Sequence, residues 1–170
     1  MRTAYIYIIL ASLFVNSFFV GCSTPTENTI TEDEEPGSPS ETSQNIYDAA
    51  EESGKYTARD SVAAYLCRFD KLPQNYVNKG EGQKLYESST GNTFSKWNFN
   101  PWKTLGVMIG GDNFSNNEKL LPEGKYHEAD VDYGNMASRG TKRLIYQSGC
   151  VIYYTADHYE SFRKLEIQKN

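Results

Sequence analysis

Four short runs of residues with high β-propensity follow one another in the second half of the chain, at 131–133, 143–146, 151–154 and 162–165. Turn-forming residues separate these runs, which is typical of consecutive antiparallel strands. Between 57 and 69, by contrast, apolar residues recur at helical spacing, at Val62, Leu66 and Phe69. Helices followed by consecutive strands predict an α+β domain, in which N-terminal helices pack on a C-terminal antiparallel β-sheet.

Local signals predict where the helices begin and end. Thr57 with Asp60 fits a capping box at the start of the first helix. A second short helix is predicted from Asn78, as its N-cap, through Leu85. Residues 87–106 show little periodicity and are predicted to be loop with one short helix.

The N-terminus is a strongly apolar run from Ala4 to Val20, which ends at Gly21-Cys22. A short apolar stretch ending at a small residue is typical of a secretory signal peptide. Residues 1–21 are therefore predicted to be a signal peptide, and the junction resembles a bacterial lipobox, in which the cysteine is lipidated. An uncleaved membrane anchor and a signal without lipidation are the alternatives. All three place the remaining chain outside the cytoplasm, either lipid-anchored to the membrane or cell surface, or secreted.

Residues 22–56 are rich in Ser, Thr, Pro and acids, and have almost no apolar residues to bury. Such a segment cannot offset its ordering entropy, which predicts a disordered tether ahead of a folded domain at 57–170. The chain has a net charge of −5, but residues 57–170 carry 15 basic and 13 acidic residues. This small excess of +2 is compatible with a polyanionic substrate.

Five segments of the domain resemble barnase-like microbial guanyl-preferring ribonucleases, at 71–76, 109–116, 128–133, 143–146 and 157–162. They occur in the family's order and nearly its spacing, over about residues 57–166. The resemblance implies the microbial ribonuclease fold and an endoribonuclease that cleaves single-stranded RNA after guanosine. It also implies a metal-free transesterification through a 2′,3′-cyclic phosphate, with no cofactor.

RNA carries its own nucleophile, the 2′-hydroxyl, so a ribonuclease of this kind needs a base, an acid and charge around the phosphate. The resemblance implies that Glu128 is the general base and His158 the general acid. The only other histidine is His127, where the resemblance leads us to expect an arginine. We interpret His127 as a bystander beside the base.

Phosphate binding is assigned by the resemblance to Lys79, Arg139 and Arg143. Asp130 would be their buried partner, balancing and orienting the arginines. One extra residue falls between Tyr133 and Arg139, yet the two arginines keep their mutual spacing. Lys79 is expected at the first turn of a helix, where an N-terminus favours anions.

Base recognition is implied for the loop Ser115, Asn116, Asn117 and Glu118. Guanine presents two adjacent donors, N1–H and the 2-amino group, and the Glu118 carboxylate can accept both. Asn117 stands where the resemblance predicts arginine, so a cation beside the base and phosphate is lost. Tyr159, next to the general acid, is expected to stack on a base.

Cys67 and Cys150 remain once Cys22 is assigned to the lipid. In an exported domain they can pair or stay as buried thiols, and sequence alone leaves both open. In the barnase-like fold the two positions face each other, which implies a disulfide closing a loop of over eighty residues.

The stretch 94–108 is longer than the family norm and contains both tryptophans. It either extends the substrate groove or covers the core. The implied partners are single-stranded RNA and a barstar-like inhibitor, and a monomer is expected. The alternative function is a non-catalytic RNA- or nucleotide-binding lipoprotein on the same fold.

Overall fold

The computed structural model describes residues 46–168. The predicted signal peptide, Cys22 and most of the predicted tether lie outside the described residues. After a helical segment at 46–49, the elements are α1 (Arg59–Phe69), β1 (Tyr76–Val77), α2 (Lys79–Thr90), α3 (Pro101–Leu105), β2 (Met108–Phe114), β3 (Tyr126–Asp130), β4 (Arg143–Gln147), β5 (Val151–Thr155) and β6 (Arg163–Leu165). In this part of the chain no helix is long and apolar enough to span a membrane.

The six strands form one sheet in the order β1-β2-β3-β4-β5-β6. β1 is parallel to β2, and each later strand pairs antiparallel with the one before it. Helices come first and a mostly antiparallel sheet follows, which confirms the predicted α+β fold class.

One predicted strand is absent, and β2 was not predicted. The run at 131–133 is not a strand, because β3 ends at Asp130 and Asp132 has a φ of +61°. Val131 and Tyr133 are fully buried, so their apolar character reflects core packing beyond the end of the strand. β2 was not predicted as a strand because its Gly110-Gly111 pair has low β-propensity. Gly111 lies at a register shift with a φ of +94°, which glycine adopts without strain.

The predicted capping box at Thr57 and Asp60 is wrong. α1 has Ala58 at its N-cap and no side-chain cap from its own sequence. Instead, the Arg59 amide donates to Oδ1 of Asp132 at 2.8 Å, a residue 73 positions away. A long-range contact thus satisfies a helix terminus that local sequence leaves open.

The Asn78 cap is confirmed, with a full capping box formed by Glu81. α2 continues past the predicted end at Leu85 to Thr90, and stops where Gly91 takes a left-handed conformation. The expected short helix within 87–106 is α3, which has Asn100 as its N-cap.

The two faces of the sheet pack against different partners, because successive side chains on a strand point to opposite sides. On the helix face, Leu144 and Ile152 form a core with α1. On the other face, Ile145 packs with Tyr126 and Leu121, bordered by aromatic side chains. We call this second side the open face.

Cys67 of α1 and Cys150 form a disulfide across 83 positions, which confirms the predicted pair. Cys150 lies in the turn before β5, with a φ of +64°, and not on a strand. Packing also begins before residue 57, which the composition predicts as the first residue of the folded domain. Tyr47 contacts the helix-face core, Ala50 is buried, and the backbone at Glu52 accepts a hydrogen bond from the Tyr65 hydroxyl.

Candidate active site

Glu128 lies in the middle of β3 on the open face and is 6% exposed. Its Oε1 accepts a hydrogen bond from Nζ of Lys79. Its Oε2 accepts one from the Tyr159 hydroxyl at 2.5 Å. The structure therefore brings together three residues that the resemblance assigned to base, phosphate and substrate binding.

The surroundings of Glu128 act on its pKa in opposite directions. Burial raises the pKa, whereas the hydrogen bonds from Lys79 and Tyr159 and the charges of Lys79 and Arg143 lower it. The net result is a pKa below the ordinary value for glutamate. The carboxylate is thus ionised at neutral pH, as a proton acceptor must be.

Two arginines share the buried carboxylate of Asp130. Arg139 donates to it twice, from Nε at 2.6 Å and from Nη2 at 2.8 Å. Nε of Arg143 lies 2.8 Å from Oδ1, and Arg143 also donates to the Lys142 and Gly140 carbonyls. Two guanidinium groups against one carboxylate give this group of three residues a net positive charge, and the charge of Arg143 also lowers the pKa of Glu128. A site of this charge favours a phosphate group.

The first turn of α2 is arranged differently from the expectation. The Lys79 amide donates to Oδ2 of Asp112 at 2.9 Å, so this helix N-terminus already holds a carboxylate. Asp112 pairs in register with Glu128 across β2 and β3. Lys79 contributes through its ammonium group, and Asp112 is a site residue that sequence reasoning missed.

His158 is exposed in the loop after β5, beside Tyr159, with their ring centroids 4.6 Å apart. Both residues have positive φ values, 59° for His158 and 78° for Tyr159. The loop holds this conformation because the Tyr159 amide donates to Oγ1 of Thr155, and Asp157 accepts from Ser161. The same loop thus presents the histidine and delivers the Tyr159 hydroxyl to Glu128.

His127 precedes Glu128 on β3 and therefore points to the opposite side of the sheet. Its ring lies 5.7 Å from that of Tyr146, which packs against the helix-face core. This placement keeps His127 away from the open face and agrees with its interpretation as a bystander.

The predicted base-recognition loop borders a cleft of about 200 Å³, whose lining includes Tyr159, the donor to Glu128. The cleft is lined by Phe114, Ser115, Asn116, Asn117, Glu118, Leu120, Tyr159 and Phe162. Rings form one wall, with Phe114 and Tyr159 5.4 Å apart and Phe114 and Phe162 6.0 Å apart. Aromatic rings beside an exposed carboxylate are suited to binding a nucleobase.

The four predicted loop residues differ in what they do. Asn116 is occupied within the loop, since its side chain donates to the Leu121 carbonyl at 2.7 Å and accepts from the Leu121 amide. Ser115 donates to Asn117 at 3.4 Å. Glu118 is exposed at the rim of the cleft. Within residues 46–168, no group of three His, Cys, Asp or Glu side chains is arranged to hold a metal ion.

A family model described as ribonuclease matches residues 59–166, more than half of the chain. The chain belongs to the ribonuclease family. This confirms the resemblance to barnase-like microbial ribonucleases, and the α+β fold is the one expected for them.

Bacterial ribonucleases are similar to this chain. A ribonuclease of Heyndrickxia coagulans is 39% identical over 110 residues, which are 62% of this chain and 94% of the relative. A ribonuclease of Bacillus intermedius is also 39% identical over 110 residues, 62% of this chain and 63% of the relative. Guanyl-specific ribonuclease St of Saccharopolyspora erythraea is 45% identical over 56 residues, 31% of this chain and 55% of the relative.

Proposed function

We propose that the protein is an exported endoribonuclease that cleaves single-stranded RNA after guanosine. The observation that carries this proposal is the ionised, buried Glu128, bonded by Lys79 and Tyr159 and next to two arginines on Asp130. A carboxylate base and cations on one face are what transesterification of RNA requires.

In this mechanism Glu128 accepts the proton of the 2′-hydroxyl, and the resulting oxygen attacks phosphorus. The P–O5′ bond breaks to leave a 2′,3′-cyclic phosphate, and His158 gives a proton to the departing 5′-oxygen. Lys79, Arg139 and Arg143 stabilise the charge that builds on the phosphate oxygens. The cyclic product is hydrolysed in a slower second step.

Guanine is proposed to enter the cleft against Phe114 and Tyr159, where Glu118 accepts from N1–H and the 2-amino group. The rim position of Glu118 supports this assignment, as do two relatives whose names describe them as guanyl-specific. Adenine lacks this pair of donors, so the same carboxylate disfavours it.

Export and lipid attachment through Cys22 belong to this proposal as well. The disulfide between Cys67 and Cys150 supports export, because structural disulfides persist in oxidising compartments. A lipid on Cys22 is testable by mass spectrometry of the mature N-terminus, and Cys22→Ser should release the protein from the membrane fraction.

The test of the chemistry uses the full-length protein in mild detergent with EDTA, on the dinucleotides GpN, ApN, CpN and UpN. Glu128→Gln and His158→Ala should each lower kcat/KM by about 10²–10⁴ if they transfer protons. Glu123→Gln and His127→Ala are the matched controls, an exposed carboxylate and the histidine of the other face. Equal losses in the controls, or cleavage that survives in Glu128→Gln, would contradict the mechanism.

Base preference is tested separately with Glu118→Gln. Its GpN-to-ApN ratio should fall by about tenfold or more, because a hydrogen bond to a charged acceptor is stronger than one to a neutral acceptor. An unchanged ratio would leave the mechanism standing and remove Glu118 from base recognition. RNA binding without any cleavage would favour the non-catalytic alternative.

A further inference from the structure

Part of the segment 94–105 forms an aromatic cluster with Tyr86 of α2. Four side chains make it up: Tyr86, Phe94, Trp97 and Phe99. Trp97 lies 4.7 Å from Phe94 and 5.6 Å from Phe99, and Tyr86 stacks on Phe99 at 4.7 Å, measured between ring centroids. The indole of Trp97 therefore packs against two rings, both of which contact Tyr86 of α2.

Gly82 makes room for this indole. A Cβ at Gly82 would lie 2.9 Å from Cη2 of Trp97 and 2.7 Å from Cδ1 of Ile109. Glycine within a helix costs about 1 kcal/mol relative to alanine. The close approach of Trp97 to α2 gives a physical reason for glycine at this position.

One face of the indole is covered by Arg139, whose Cζ lies 5.3 Å from the ring centroid. Asp130 restrains the same guanidinium within its plane, through Nε and Nη2. The Asp130 carboxylate fixes the direction in which the Arg139 guanidinium points, and the indole of Trp97 fixes the orientation of the guanidinium plane. The donors of Nη1 lie outside the pair with Asp130.

The loop that carries Arg139 is held by the same segment. Nδ2 of Asn100 donates to the Tyr133 carbonyl at 2.7 Å and to the Met136 carbonyl at 2.9 Å. Nζ of Lys103 donates to the Asn135 carbonyl at 2.9 Å. Residues 94–105 thus contact Arg139 at its side chain and its loop at the backbone.

We propose that Trp97 is a positioning residue for Arg139, with Asn100 fixing the loop below it. The inference rests on the proposed function, in which Arg139 binds the phosphate. Arginine has a long side chain with high rotamer entropy, and stacking on an indole restricts it before substrate arrives. Residues 94–108 then serve the site through Arg139, without themselves contacting the base.

The test compares Trp97→Leu and Trp97→Phe in the wild-type and Arg139→Ala backgrounds, with GpN as substrate. Trp97→Leu should lower kcat by about tenfold, with a smaller effect on KM, and Trp97→Phe should retain most activity. In the Arg139→Ala background, Trp97→Leu should have no further effect on kcat, because its partner is gone. Trp102→Leu, which removes the other indole of the segment, is the matched control.

Losses from Trp97→Leu and Arg139→Ala that multiply independently would overturn the proposal, as would an equal loss of kcat in Trp102→Leu. A readout without activity separates this inference from the proposed function. In ¹⁵N-labelled protein, the Nε–H of Arg139 should exchange slowly with solvent, and Trp97→Leu should accelerate that exchange. If the wild-type protein does not cleave RNA, only the proposed function is contradicted. If the Nε–H of Arg139 exchanges at an unchanged rate in folded Trp97→Leu, the positioning role of Trp97 is contradicted.

Discussion

The two faces of the sheet are held together by different forces. The helix face buries Leu144 and Ile152 under α1 and is tied by the disulfide at Cys67. On the open face, β3 buries Glu128 and Asp130, both with side chains under a tenth exposed, against cationic partners. Apolar burial stabilises regardless of orientation, whereas a buried charge is tolerated only with its partner in place. The first arrangement supports the fold, and the second places charge where the proposed reaction needs it.

The largest effect on this comparison is expected from removing the Asp130 carboxylate, which the two arginines share. Asp130→Ala leaves Arg139 and Arg143 without their buried partner and should cost about 3–5 kcal/mol of unfolding free energy. Activity should fall as well, because the arginines lose their orientation. Urea titrations followed by tryptophan fluorescence measure the stability, and GpN turnover in the native baseline measures the activity.

Leu144→Ala is the counterpart on the helix face. It should cost about 2–5 kcal/mol, since it opens a cavity in a fully buried core. The remaining folded protein should keep its kcat. If Asp130→Ala proved as stable as wild type, or Leu144→Ala lost kcat while folded, the two faces would not divide stability and chemistry in this way.

The disulfide sharpens the same comparison, at an expected cost similar to that of Leu144→Ala. The double variant Cys67→Ser and Cys150→Ser should lose about 4 kcal/mol of stability, because the bond closes a loop of over eighty residues in the unfolded chain. Its kcat should be unchanged, since the bond links α1 to the turn before β5. A dithiothreitol-treated wild type is the control and should unfold at the same urea concentration as the double variant. A reduced protein with unaltered stability would contradict this assignment.

Sequence predicted the regular parts of the molecule well and the long-range parts poorly. The α2 cap at Asn78 and Glu81 could be predicted because both members of the box lie within four residues. The cap of α1 could not, because its acceptor, Asp132, is 73 positions from Arg59. β2 was missed because the bulge that places Asp112 opposite Glu128 requires glycines, which local propensity counts against a strand.

The site was predictable only where a family pattern supplied the partners. The contact between Lys79 and Glu128 spans 49 positions, and neither residue alone differs from a solvated charge. The stacking of Trp97 on Arg139 lies in a stretch longer than the family norm, where the resemblance offers no guide. Its one local signal was Gly82, a glycine inside a helix.

The pH dependence of cleavage tests how the open face holds Glu128 ionised. The pKa of Glu128 lies below its ordinary value because the Lys79 and Tyr159 donors outweigh burial. Tyr159→Phe removes one donor and leaves burial in place, so the pKa should rise. The acid limb of kcat/KM should then move to higher pH than in wild type, with Tyr153→Phe as the matched loss of a hydroxyl. An acid limb that stays in place would show that Tyr159 does not stabilise the carboxylate.

The smallest effect is expected at Asp157, which lies in the loop that presents His158. Hydrogen bonds from Ser161 and Thr155 lower its pKa to about 2. The unfolded chain keeps the ordinary, higher pKa, so this group stabilises the fold above the unfolded value and loses that contribution as pH falls towards 2. Asp157→Asn cannot titrate, and its melting temperature should therefore fall less than that of wild type between pH 4 and pH 2, with Glu160→Gln as the exposed control on the same loop. Because the loop also carries the Tyr159 hydroxyl to Glu128, a small loss of kcat at neutral pH should accompany this change. If the melting temperatures of wild type and Asp157→Asn fell equally between pH 4 and pH 2, the side chain of Asp157 would not hold the His158 loop, and its backbone alone would do so.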